Sequence, residues 1–208
     1  MTNQNSAWMK SESVPLFQAN ELILIRHADP DHKGRLCGRT DIGLTEAGRA
    51  ELAQLSPLLP SVDRLIVSPA IRCVLTARGL WPGAILTKDE SLWEQDFGDW
   101  EGMAFSDLPD LGDLTRDELA AAAPPGGESF LAVCARTHGA LRDAAQSALN
   151  AGPVVVVAHA GVVRAALSMA LDVPPAGLSF QIPPLSLTRF TCLPNGRFAI
   201  GAVGWRPS

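Results

Sequence analysis

LILIRHADP, residues 22–30, is an aliphatic run that stops abruptly on two basic side chains, Arg26 and His27. Its length and composition read as a buried strand, Leu22–Ile25. A second run does the same: VVVV at 154–157, then Ala158 and His159, the most buried-looking strand of the chain. In open α/β sheets ligands bind outside the carboxyl ends of the strands. Both histidines therefore stand where such a ligand is expected. No acid directly beside Arg26 or His27 neutralises either one.

Working outward, strands alternate with helices. Thr45 is a good N-cap for a helix whose apolar positions recur at Leu52, Leu55, Leu58 and Leu59. Arg64–Val67 is a strand, and Pro69 suits the first turn of a helix running to about residue 79. Ile85-Leu86 is a weak strand. Residues 98–127 are rich in Gly, Asp and Pro, with a short helical piece near 115–122. A long amphipathic helix spans Ser129 to about Asn150, and another spans Gly161 to Leu171. Leu185–Cys192 and Phe198–Val203 flank Pro194-Asn195-Gly196-Arg197, a hairpin signal. The pattern predicts an α/β three-layer sandwich: a mostly parallel central sheet flanked by helices, with an antiparallel edge at the C-terminal hairpin. No linker divides residues 19–208, which are expected to form one domain behind a flexible tail of residues 1–18. The hairpin edge offers a surface that could pair with a second copy of the chain, so a homodimer is conceivable.

Composition narrows the function. Of 208 residues, 47% are hydrophobic and 19% charged, enough apolar material for a substantial core. A net charge of −5 argues against a dedicated nucleic-acid binder, while leaving room for a local positive pocket. No run approaches the roughly 18 apolar residues of a membrane span, and the N-terminus has no signal-peptide core. Cys37, Cys73, Cys134 and Cys192 form no CxxC pair and are expected to be free thiols. A soluble, cytoplasmic protein is the expectation.

Two further segments join the histidines. SPAIR ends at Arg72 just after a strand, and WEQDFGDWEG carries Glu94. Two arginines supply forked donors matched to phosphate oxygens. The helix after His159 turns its N–H groups toward the same place. A neutral imidazole is a competent nucleophile toward phosphorus, and a nearby carboxylic acid can protonate a leaving oxygen. The set suits phosphoryl transfer to or from a small-molecule phosphate monoester. It needs no metal or other cofactor, and no residues show metal-ligand spacing. His32 and His138 read as solvent-facing or helix-surface residues. Trp93, Phe97 and Trp100 are expected to pack under the loop carrying Glu94. Glu128 and Ser129 are expected to cap the long helix.

Six stretches also carry a resemblance: LIRHA (24–28), GRTDIGLTEAG (38–48), SPAIRCVLTA (68–77), LWEQDFGDWEG (92–102), PPGGES (124–129) and VVAHAGVVRAAL (156–167). In this order they resemble the histidine phosphatase superfamily, the phosphoglycerate-mutase-like proteins. The resemblance implies His27 as the nucleophile, Glu94 as the proton donor, and Arg26, Arg72, His159 and Gly38 around the phosphoryl group. Lys33, Cys37, Arg39 and Arg164 are the candidate contacts to the rest of the substrate. The chain departs from the family pattern in three places. Ala28 stands where a glycine is usual, Lys33 where many relatives have asparagine, and Cys37 where some have threonine or serine. GRTDIGLT, FGDWEG and PPGGES together are similar to the α-ribazole phosphatases of cobalamin biosynthesis, which implies α-ribazole 5′-phosphate as substrate. A broad-specificity sugar-phosphate phosphatase, a phosphoglycerate mutase and a non-catalytic phospholigand binder are the alternatives. The short middle region favours hydrolysis over the mutase.

Overall fold

The computed structural model describes residues 17–206. In chain order the main elements are β1 (Glu21–Arg26), α1 (Glu46–Leu55), β2 (Leu65–Val67), α2 (Ile71–Leu80), β3 (Leu86–Lys88), α3 (Arg116–Ala121), α4 (Phe130–Ala151), β4 (Val154–Ala158), α5 (Ala160–Leu171), β5 (Leu187–Leu193) and β6 (Arg197–Trp205). They form one six-stranded sheet in the order β3-β2-β4-β1-β5-β6. The first four strands in that order run parallel, whereas β5 and β6 run antiparallel to their neighbours.

The near-continuous apolar character of β1 and β4 follows from burial on both faces. Ile23, Ile25, Val155 and Val157 pack with Leu52 of α1 and Val74 and Ala77 of α2. The alternate residues Leu22, Leu24, Val154 and Val156 pack with Leu141 of α4 and Val162, Val163 and Leu167 of α5. The two-residue period of a strand thus sends successive side chains into two different cores. Among the described residues no helix is long and apolar enough to cross a membrane.

Helix ends follow local chemistry. The Thr45 side chain accepts from the Gly48 N–H at 3.0 Å and caps α1. Thr115 and Glu118 form a reciprocal capping box on α3. Ser129 accepts from the Ala132 N–H at 3.2 Å and starts α4.

Several boundaries differ from expectation. Pro69 lies ahead of α2, which begins at Ile71. Asp41 accepts the Ile71 N–H at 2.7 Å, so a distant carboxylate starts that helix. Leu58 leaves the apolar stripe of α1, because a short 3₁₀ turn at Ser56–Leu58 rotates it outward. β3 begins at Leu86, and Ile85 is 88% exposed. β5 starts two residues late because Leu185 has a left-handed φ of 54°, from which its N–H reaches the Arg26 carbonyl at 3.1 Å. Residues 1–16 of the expected tail lie outside the described residues. Phe17 packs against the core and under the Arg189 guanidinium, 5.8 Å from the ring centre, so the body extends back at least to this residue.

The two-core arrangement makes a stability prediction. Leu24→Ala, at a site with no exposed surface, should cost about 2–5 kcal/mol by leaving a cavity. Ile85→Ala should change stability by no more than about 0.5 kcal/mol. Urea unfolding of both variants checks this. Equal midpoints would mean that the sheet centre is not the stabilising core.

Candidate active site

The β1–β4 ladder places Arg26 opposite Ala158. The next residues, His27 and His159, therefore leave the sheet side by side. The His27 N–H donates to the Ala158 carbonyl at 2.9 Å, and the two ring centres are 5.1 Å apart, edge to face. β2 adds Ser68 in the same way. Its N–H donates to the Val157 carbonyl at 3.0 Å, and its hydroxyl lies 2.8 Å from His159 Nε2.

His27 is buried, and its Nδ1 sits 2.8 Å from the Ala28 carbonyl oxygen. A carbonyl can only accept, so Nδ1 carries the proton and Nε2 keeps a lone pair. Burial pushes its pKa down from 6.5 to about 3. The Ala28 hydrogen bond opposes the shift, and the positive charges of Arg72 and Arg26 add to it. The ring is thus neutral at physiological pH, as a nucleophile must be.

A cavity of about 190 Å³ opens in front of this ring. Arg26, Arg72, Cys37 and Glu94 line it, together with His32, Arg35, Leu36, Phe97 and Phe105. Arg26 Nη1 donates to the Ile182 carbonyl at 2.6 Å, while its Nε is buried without a partner. Arg72 is almost wholly buried and donates to the carbonyls of Gly38 (2.6 Å) and Thr40 (3.1 Å). The Glu94 carboxylate accepts from Gly161 N–H at 3.2 Å, at the start of α5, and from Gln95 N–H at 3.0 Å. A Cβ on Gly161 would collide with Glu94 Oε1, so only glycine lets the carboxylate reach that helix end.

Other expected residues fall elsewhere. His159 is wholly buried behind His27, held by Ser68 and stacked parallel to Trp93 at 6.5 Å, and does not line the cavity. Its pKa is pushed well below the ordinary value by burial and by the nearby Arg72 charge. Gly38 does not offer its N–H to the cavity. That N–H donates to Glu101 Oε1 at 2.9 Å, and only the Gly38 carbonyl serves the site, by holding Arg72. Lys33 has a left-handed φ of 50° and turns outward, 77% exposed, to within 3.8 Å of Asp31. Arg39 lies over Trp93, 5.6 Å from the ring centre, and 3.6 Å from Glu128. Arg164 donates from Nε to the Phe180 carbonyl at 3.0 Å and does not line the cavity. Cys37 lines it, and burial beside Glu101 raises its thiol pKa. His32 is not simply solvent-facing, since it lines the cavity mouth with its ring 5.1 Å from that of Phe105. His138 Nε2 is buried without a partner.

One carboxylate, Glu101, escaped the sequence reading, and another, Glu128, was read in a different role. Glu101 accepts from the N–H groups of Gly38, Arg39 (2.8 Å) and Thr40 (3.1 Å) and from the Thr40 hydroxyl (2.6 Å). Burial would raise its pKa, but these hydrogen bonds outweigh burial and hold it below the usual carboxylate range. The 38–40 loop therefore faces Glu101 with its N–H groups and Arg72 with its carbonyls. Glu128 does not cap α4. It forms a paired contact with Arg136 at 2.8 and 2.9 Å and accepts the Asp96 N–H at 3.0 Å. Arg136 also donates to the carbonyls of Ser91 (2.6 Å), Trp93 (3.0 Å) and Glu94 (3.3 Å), so the pair clamps the segment bearing Glu94. Ser68 was legible from the strand-end rule that found the histidines. Arg136 had no local signal.

Among the described residues no group of three or more His, Cys, Asp or Glu side chains could hold a metal ion. A neutral imidazole, two buried guanidinium groups and a carboxyl at a helix start can bind a phosphoryl group, attack it and exchange a proton with it.

Comparison with known proteins agrees. The sequence model of the histidine phosphatase superfamily (branch 1) matches residues 22–204, and the chain belongs to that superfamily. A glucosyl-3-phosphoglycerate phosphatase of Mycobacterium tuberculosis is 32% identical over 172 residues, 74% of this chain and 76% of that protein. The structure of an Entamoeba histolytica phosphoserine phosphatase in complex with 3-phosphoglyceric acid superposes with a TM-score of 0.74 at 25% identity, covering 89% of this chain and 97% of that one. A putative α-ribazole-5′-P phosphatase of Escherichia coli K-12 has a TM-score of 0.77, covering 89% and 96%. At 23% identity it speaks for the fold alone.

The depressed His27 pKa makes stability pH-dependent. The folded ring stays neutral down to about pH 3, whereas the unfolded ring takes a proton below 6.5. Stability from this residue is complete above pH 6.5 and drains as pH falls toward 3, at ~1.4 kcal/mol per unit. Between pH 7 and pH 5, His27→Asn should therefore lose ~2 kcal/mol less stability than wild type. Denaturant titrations at both pH values measure it. An identical pH loss in the two proteins would show that His27 is not held neutral.

Proposed function

We propose that this member of the histidine phosphatase superfamily hydrolyses a small-molecule phosphate monoester through a phosphohistidine at His27, without a metal ion. The observation that supports it is the anchoring of His27 by Nδ1, which leaves Nε2 at a cavity walled by Arg26, Arg72 and Glu94. Arg26 and Arg72 bind the phosphoryl oxygens, and their charge stabilises the oxygens through the transition state. His27 Nε2 attacks phosphorus. The P–N bond forms as the ester P–O bond breaks, and the departing alkoxide takes the proton of the Glu94 carboxyl. Water then gives a proton to the Glu94 carboxylate and attacks phosphorus. The P–N bond breaks, releasing inorganic phosphate and neutral His27. His159, itself held by Ser68 and stacked on Trp93, packs edge to face against the His27 ring.

The motif resemblance favours α-ribazole 5′-phosphate as substrate, while the relative of highest identity named above acts on glucosyl-3-phosphoglycerate by its name. Both esters belong in a panel with 3-phosphoglycerate, phosphoserine and sugar phosphates. The four cysteines are free, which suits a cytoplasmic enzyme.

Phosphate release across this panel in the presence of EDTA is the test. Wild type should turn over at a rate EDTA leaves unchanged, and His27→Ala should lose at least ~10⁴-fold in kcat. Turnover retained by His27→Ala, or abolished by EDTA, would overturn the mechanism. Interconversion of phosphoglycerates without net release would make the protein a mutase, and binding without turnover would make it a receptor. Glu94→Gln should cost ~10²–10⁴-fold on alkyl esters. It should cost much less on p-nitrophenyl phosphate, whose leaving group needs no proton. Equal losses on the two esters would remove Glu94 as the acid.

A further inference from the structure

A second cavity, of about 340 Å³, adjoins the first, with Leu36 and Phe97 lining both. The second cavity is walled by Trp100, Leu111, Leu119 and Phe130 among others, and its lining side chains are apolar apart from Gln95 and the indole N–H of Trp100. The Gln95 side-chain nitrogen donates to the Glu128 carbonyl at 2.7 Å. Sugar hydroxyls or a carboxylate entering here would lose water and find few partners. Leu111 and Leu119 are each 42% exposed, an arrangement that an apolar ligand would improve.

The catalytic cavity is too small for more than the phosphate and the first atoms of its ester, since small-molecule sites usually run to ~300–1,000 Å³. The alcohol must therefore continue into neighbouring space, and in-line displacement sets the direction. The leaving oxygen departs opposite His27, on the side of its proton donor Glu94. Gln95 and Phe97, the neighbours of Glu94 in the chain, line the apolar cavity. The other adjoining cavity, more polar and bordered by Asp31, Lys33 and Arg49, has no lining residue from 92–97.

We propose that the apolar cavity bounded by Phe97, Leu111 and Leu119 receives the alcohol half of the substrate, and that the enzyme selects monoesters of alcohols carrying an alkyl or aromatic group. The inference rests on the phosphatase reading of the His27 site.

A homologous series of n-alkyl phosphates, ethyl to octyl, tests it. The leaving-group chemistry is nearly constant along the series, so only burial changes. Wild-type kcat/KM should rise ~3–4-fold per methylene that enters the cavity, then level off. Leu119→Ser and Leu111→Ser, at half-exposed positions, should flatten the rise by lowering octyl phosphate kcat/KM far more than ethyl phosphate kcat/KM. A variant merely damaged in folding would lose short and long esters alike. A flat series for wild type, or a rise that neither variant alters, would overturn the assignment while the phosphatase reading stands. Failure to release phosphate from any ester, with the full panel above also silent, would instead remove the phosphatase reading and this inference with it.

Discussion

The parallel pairing of β1 with β4 is the constraint on which the site depends. A slip of one residue would turn the Leu22–Ile25 side chains to the opposite cores. It would also separate His27 from the Ala158 carbonyl and from His159. The apolar contacts that stabilise the sheet and the placement of the imidazole are therefore one and the same register. Burying an aliphatic ladder on both faces places His27, and the Ala28 carbonyl then fixes its ring through Nδ1.

Around that ring the polar groups form a layered support. Glu101 collects the N–H groups of residues 38–40, so their carbonyls face the other way and hold Arg72. Glu128 and Arg136 do the same for the backbone around Glu94. Both carboxylates are removed from the cavity, yet each sets the direction of a group that reaches it. A guanidinium held by two carbonyls loses little freedom when an anion arrives, and this preorganisation is what phosphoryl transfer requires.

The two cavities are built by different parts of the chain. His27 and Arg26 at a strand end and Arg72 at a helix start border the smaller one, held by the sheet. The second cavity is built largely by residues 95–130, between β3 and α4. Its apolar walls contrast with the polar phosphoglycerate compounds in the names of two relatives.

Short-range pattern was enough for much of this. The aliphatic runs of β1 and β4, the caps Thr45 and Ser129, and the histidines after the strands are each decided within a few residues, so the sequence by itself determined the fold class and the two strand-end histidines. Arg72 and Glu94 followed from the chemistry of their segments, the family motifs in order supported both, and the structure brings both to the cavity. Side-chain and N–H direction at the loops was settled only in three dimensions. Gly38 gives its N–H to a carboxylate 63 residues away, Lys33 is turned out by a left-handed backbone, and Arg39 is drawn onto Trp93. Glu128 leaves the helix start for Arg136, and His159 retires behind His27. A motif specifies which group is present; which way it points depends on partners that only chain closure brings near.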